Sequence, residues 1–169
     1  MEIKYLTLIR HAKSSWKFPE LTDFDRPLNK RGLKSASLMG VVLQEQAVLF
    51  DAVFSSSAKR AHDTIELICE RIGFPLNNIK FEDELYDFHS QRVYEYIKHF
   101  DDSLHDVALA GHNPVFHRLA TLLTGESIVK FPTCAIARMR FDVDQWRQVT
   151  GGTGRLVFYD CPKYHTDKY

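Results

Sequence analysis

Several kinds of protein are excluded by what this chain lacks. Its three cysteines, Cys69, Cys134 and Cys161, are widely spaced and fall in no CxxC pair. They provide neither a disulfide framework nor a zinc knuckle, and read as reduced packing residues of a cytoplasmic protein. No HExxH motif occurs, and His112 and His117, five residues apart, would point to different faces of a helix. No metal or other cofactor is therefore expected. A Walker sequence is missing, and the absence of GxSxG rules out a serine nucleophile elbow. The N-terminus has no signal-type apolar stretch, and no run approaches the ~20 apolar residues of a membrane span. Charge of one sign is also lacking. Lys and Arg number 22 and Asp and Glu 22, so no global field recruits nucleic acid or an anionic membrane. Any anion binding must come from a local cluster.

What remains is the composition of a soluble globular domain, 44% hydrophobic and 26% charged. The expected domain spans residues 1–162, with a polar tail over 163–169. Strand and helix signals alternate. "IKYLTLI" (3–9), "DAVFSSS" (51–57) and "DVALAGH" (106–112) read as buried strands, and a weaker strand falls near Ile79–Phe81. A helix from about Asn29 places Leu33, Ala36, Met39 and Leu43 on one face. A second places Ala61, Ile65, Ile68 and Ile72 inward, with Ser57 as its expected cap. A third, capped by Ser90, turns Val93, Tyr96, Ile97 and Phe100 inward. A fourth, capped by Asn113 with Pro114 at its first position, buries Phe116, Leu119, Ala120 and Leu123. "CAIARMRF" (134–141) and "RLVFYDC" (155–161) close the chain as an antiparallel hairpin, with the glycines of "TGGTGR" (150–155) in its turn. The expected fold is a three-layer α/β/α sandwich with a mostly parallel central sheet and an antiparallel C-terminal hairpin or edge strand.

In such sheets ligands bind outside the carboxyl ends of the strands. The first strong strand ends in Arg10-His11, the second leads to Arg60, and the third ends in Gly111-His112. Each taken singly has an ordinary alternative. An arginine there can pair with Asp23, Asp25 or Asp63, and a lone histidine can be a hydrogen-bonded core residue. Four cation-capable side chains at equivalent ends of one sheet would repel one another unless an anion is bound among them.

The motifs "RHAKSSW" (10–16), "DFDRPLNKRG" (23–32), "SSSAKRAHDT" (55–64) and "GHNP" (111–114), in that order, resemble the histidine phosphatase superfamily, which includes the phosphoglycerate mutases. The short chain is most similar to its compact branch, the SixA-type phosphohistidine phosphatases. The resemblance implies a phosphoglycerate-mutase-like fold and a metal-independent phosphohydrolase. His11 would be the nucleophile, transiently phosphorylated, with Arg10 and Arg60 as phosphate clamps and His112 as the second pocket histidine. Guanidinium groups near His11 would keep its imidazole neutral and reactive, while His112 would be cationic with phosphate bound.

A leaving alkoxide needs a proton. Where phosphoester-cleaving members of the family carry glutamate, "DELYDFHS" (83–90) offers the shorter Asp87, with Glu84 and His89 as alternates. Ser14 is a further candidate phosphate ligand; Lys13 and Ser15 belong to the pocket rim or to ordinary loop structure. Asp25 pairs with Arg26 or orients a pocket arginine in this reading. The expected partner is a phosphorylated substrate, with a phosphohistidine-containing protein first. The alternatives are a small phosphorylated metabolite or a non-catalytic module that binds phosphorylated ligands. Which nitrogen of His11 attacks is left open by the sequence, as is the oligomeric state.

Overall fold

The computed structural model describes residues 1–86 and 89–165. Its six-stranded sheet contains β1 (Lys4–Arg10), β2 (Ala52–Ser56), β3 (Lys80–Glu82), β4 (Asp106–Gly111), β5 (Ile136–Phe141) and β6 (Gly154–Asp160). The spatial order is β3-β2-β4-β1-β5-β6. The first four in that order run parallel. β5 is antiparallel to β1, and β6 to β5. The mostly parallel sheet with an antiparallel C-terminal hairpin is thus the arrangement present.

The period-two alternation of the strands divides the core between two faces. Leu6 and Leu8 of β1, with Val107 and Leu109 of β4, face α3 (Ser90–Lys98) and α4 (Val115–Thr124). Ile9, Ala108 and Ala110 face α1 (Lys30–Glu45) and α2 (Lys59–Ile72). Both faces of the central strands are covered, so β1 and β4 read as nearly continuous apolar runs. Among the described residues no helix is long and apolar enough to cross a membrane.

Helix boundaries differ from expectation in instructive places. Asn29 caps α1 as expected, its side chain accepting from the Gly32 amide at 2.8 Å. Leu33, however, is exposed, and the inward face instead uses Gly32 and Gly40 beside Ala36, Met39 and Leu43. Small residues there let the helix approach closely: a Cβ on Gly32 would stand 2.1 Å from the Lys13 carbonyl oxygen. Ser57 does not cap α2. Ala58 occupies that position, and the Ser57 hydroxyl donates to Asp83. Ser90 is the first residue of α3 and His89 its cap position. Pro114 holds the cap position of α4, and the Asn113 side chain turns away, its Nδ2 donating to the Phe131 carbonyl at 2.7 Å. Pro162–His165 form a short 3-10 turn, with His165 2.7 Å from the Asp160 carboxylate.

Candidate active site

Strand register sets the first level of the site. Arg10 of β1 lies opposite Gly111 of β4, and Ser55 of β2 opposite Ala110. The three strands therefore end at one height, and the residues that follow emerge side by side. The His11 amide donates to the Gly111 carbonyl at 3.0 Å, while the His11 carbonyl accepts from the Cys134 amide at 3.0 Å. Backbone bonds on both sides fix His11 in the chain just beyond the sheet.

Arg60 arrives from the first turn of α2. The Thr64 hydroxyl ties it to the loop after β1, donating to the Arg60 carbonyl at 2.7 Å and accepting from the Ala12 amide at 2.9 Å. Arg10, His11, Arg60 and His112 consequently converge. The imidazoles of His11 and His112 stand 5.1 Å apart between centroids, and Arg60 Nε lies 3.4 Å from His11 Nε2. Arg10 Nη1 donates to the Phe131 carbonyl at 3.1 Å.

The hydrogen bonds distinguish the two nitrogens of His11. Nδ1 lies 2.7 Å from the Ala12 carbonyl, which can only accept, so Nδ1 carries the proton. Nε2 keeps its lone pair and faces Arg60. Burial chiefly, then Arg60 and Arg10, holds the His11 pKa down at about 3, against the opposing effect of the Ala12 bond. The expectation that neighbouring guanidiniums keep this ring neutral is thus corrected in emphasis: removal from water dominates. His11 is 8% exposed. His112, 2% exposed, is likewise held at about 3 by burial, then by His11 and Arg60, so it is neutral in the unliganded protein. Its Nε2 is 2.8 Å from Ser56 Oγ.

A cleft of about 400 Å³ is lined by Arg10, His11 and Arg60 and by the 13–17 loop, and His112 is not part of its lining. Ser14 lines it, and the Ser14 hydroxyl accepts from Arg26 Nη1 at 2.6 Å. Arg26 also lines it, held by Asp23 through Nε at 3.2 Å and Nη2 at 3.1 Å.

Asp23 has a larger place in the site than its sequence context suggests. In sequence it is one of three possible arginine partners, with Asp25 expected beside Arg26. Asp25 instead accepts from the Thr22 hydroxyl, and Asp63 pairs with Lys59. Asp23 takes the outer edge of Arg60: Nη1 donates to its carbonyl at 2.7 Å and Nη2 to its carboxylate at 3.0 Å. The Tyr86 hydroxyl donates to the same carboxylate oxygen at 2.7 Å. Although burial raises the Asp23 pKa, the bond from Tyr86 and the charges of Arg60 and Arg26 bring it down to about 2. The Nε edge of Arg60 is thereby left turned toward His11. Residue spacing gave no means of choosing Asp23 over Asp25, because the 3-10 turn at Asp23–Asp25 decides which carboxylate faces inward.

Asp87, the candidate proton donor, lies outside the described residues. Glu84 and His89 are exposed and do not line the cleft. Tyr86 brings that segment to the site, its ring packing edge-on against His112 at 5.4 Å. Among the described residues no three His, Cys, Asp or Glu side chains converge as a metal-binding group.

A buried imidazole with Arg60 at 3.4 Å and Arg10 in the same cleft, at the carboxyl edge of a mixed sheet, is an arrangement suited to binding an oxyanion. The family model of the histidine phosphatase superfamily (branch 1) matches residues 6–90. A Mycobacterium tuberculosis H37Rv protein of uncharacterized function is 32% identical over 166 residues, covering 92% of this chain and 100% of the relative. The structure of SixA from Agrobacterium tumefaciens superposes with a TM-score of 0.80 at 26% identity, covering 94% of this chain and 98% of that one. A protein histidine phosphatase SixA in complex with tungstate has the same fold, with a TM-score of 0.80 at 24% identity and coverage of 95% and 98%. The chain belongs to the histidine phosphatase superfamily. Within it, the compact build is that of the SixA-type branch, and the protein is a phosphatase.

Proposed function

We propose that the protein hydrolyses phosphorylated substrates through a covalent phosphohistidine on His11, and that its physiological substrate is phosphohistidine carried by a protein. The observation that supports this most directly is the 2.7 Å contact of His11 Nδ1 with the Ala12 carbonyl, which assigns the proton to Nδ1 and leaves the Nε2 lone pair facing the Nε–H of Arg60 at 3.4 Å. In the first step Nε2 forms a bond to phosphorus as the bond to the leaving group breaks. The Ala12 carbonyl, bound to Nδ1–H, stabilises the positive charge that develops on the ring. Arg10 and Arg60 balance the charge on the phosphoryl oxygens. Water then attacks phosphorus, the P–Nε2 bond breaks, and inorganic phosphate leaves with His11 neutral again. The nucleophile and the charge stabilisation come from these side chains, so neither step calls on a metal ion.

Buried donors support the same reading. Arg10 Nε and His112 Nδ1 have no hydrogen-bond partner among the described residues. Polar groups left so in a folded interior are unusual, and phosphoryl oxygens would satisfy both. A bound dianion would also draw a second proton onto His112, leaving both of its ring nitrogens as donors.

Asp87 is the proposed proton donor to leaving groups that need one, on the strength of its place after Leu85-Tyr86 in the family pattern. Phosphohistidine, whose leaving imidazole is readily protonated, depends on that acid least. Similarity to SixA supports a protein substrate. A small phosphorylated metabolite is the second reading, favoured by a cleft larger than one phosphoryl group needs. The buried thiols accord with a reducing, cytoplasmic setting. His11→Ala is expected to abolish turnover of both an aryl phosphate and a phosphohistidine peptide, with the fold retained by circular dichroism. Full activity in that variant would overturn the nucleophile assignment.

A further inference from the structure

Arg10 and Arg60 suffice for one phosphoryl group, yet the cleft is more cationic than that group requires. Its lining adds Lys13, Lys17 and Arg26 and, among the described residues, contains no carboxylate, in a chain whose formal charges sum to zero. Arg26 is engaged by Asp23 and Ser14. The ammonium groups of Lys13 and Lys17 are exposed and have no ion pair or hydrogen bond among the described residues.

Trp16 stands between them. It is 78% exposed, yet its ring lies over the Arg26 guanidinium at 3.6 Å. Through Arg26 the indole is braced by Asp23, which also holds Arg60. One ring face is thus fixed and the other open to solvent. Phe18 and Leu21, also exposed, follow on the same loop. The backbone beneath is pinned by the Ser14–Leu28 bridge and by Ser15 N donating to the Pro27 carbonyl at 2.8 Å. A charge, a braced aromatic face and a second charge therefore stand in sequence at the mouth of the cleft.

We infer that Lys13, Trp16 and Lys17 form a docking rim that selects polypeptide segments with acidic side chains beside the phosphorylated residue. The inference rests on the phosphatase reading above and deepens it by naming the substrate class. A second phosphate on a metabolite is a compact dianion, best held by a fork of guanidinium donors. Two ammonium groups carried four residues apart on one loop, each a point charge on a flexible stem, suit carboxylates spaced along a chain. The indole between them offers the low-entropy aromatic contact that anchors protein interfaces.

The test uses the intact protein and phosphohistidine peptides that differ only in their flanks, two aspartates against two lysines. An aryl phosphate serves as internal reference, and a sugar bisphosphate is set against its monophosphate. The acidic peptide should show kcat/KM on the order of tenfold above the basic one at low salt, carried by KM and shrinking as salt rises. Lys13→Glu/Lys17→Glu should reverse that preference, and Trp16→Ala should lower both peptides relative to the aryl phosphate. Equal turnover of the two peptides by the wild type, or a preference that survives in the double variant, would overturn the rim alone. A lysine dependence confined to the bisphosphate would replace it with a metabolite site. Cleavage of the aryl phosphate beside inert peptides would overturn the protein substrate and the rim together, whereas inactivity toward every phosphorylated compound would overturn the phosphatase reading itself.

Discussion

Acid should weaken this fold because two imidazoles are buried without their protons. His11 and His112 have pKa values near 3 in the folded protein, against about 6.5 in an unfolded chain. Below pH 6.5 the unfolded state therefore binds more protons than the folded one, and stability falls as pH drops until the folded rings themselves titrate. Between pH 7 and pH 5 each histidine removes about 2 kcal/mol from the free energy of unfolding. The two together remove about 4 kcal/mol, a large share of a typical domain's stability. His112→Asn deletes one titrating ring while offering a polar group to Ser56. Urea unfolding at the two pH values measures the effect, provided the m-value stays constant. The wild type should lose about 2 kcal/mol more than the variant over this interval. An equal loss in both proteins would mean that His112 titrates alike in the folded and unfolded chains, and that its burial does not destabilise the fold in acid.

Other expectations follow from single contacts. Asp23→Ala removes the carboxylate that holds Arg60, Arg26 and Tyr86. It should lower kcat/KM for an aryl phosphate on the order of 10- to 100-fold, while the half-exposed ion pairs cost only about 1 kcal/mol in thermal unfolding. Gly32→Ala drives a Cβ into the Lys13 carbonyl, and about 2 kcal/mol of lost stability in urea unfolding is expected, with a raised KM as the 13–17 loop shifts. Asp87→Asn should slow an alkyl phosphate far more than a nitrophenyl phosphate, whose leaving group needs no proton. Equal slowing across a leaving-group series would remove Asp87 from the acid role.

The sheet and the four convergent residues were legible because each depends on a local signal. A buried apolar strand shows in its composition, and Arg10, His11 and His112 sit at strand ends that sequence alone can locate. Arg60 followed because only three residues separate it from the end of its strand, whatever the exact cap. What escaped depends on contacts made across the fold. Asp23 and Asp25 are indistinguishable in a string of letters, and only the turn at Asp23–Asp25 aims one of them at Arg60 and Tyr86. Thr64 gave no signal either, because its bond to the Ala12 amide links residues 52 positions apart. Leu33 looked like core, yet α1 packs through glycines whose value is the space they leave. The proton on His11 Nδ1 was likewise invisible until the Ala12 carbonyl was found beside it.

In the proposed mechanism His11 Nε2 carries the phosphoryl group during turnover. Rapid acid-free quenching of the enzyme mixed with a phosphohistidine peptide, followed by ³¹P–¹⁵N correlated NMR of the ¹⁵N-histidine-labelled protein, reads that nitrogen directly. A phosphorus coupled to Nε2 of His11, and lost in His11→Asn, is the predicted result. Phosphorus on Nδ1, on His112 or on no histidine while hydrolysis proceeds would contradict it.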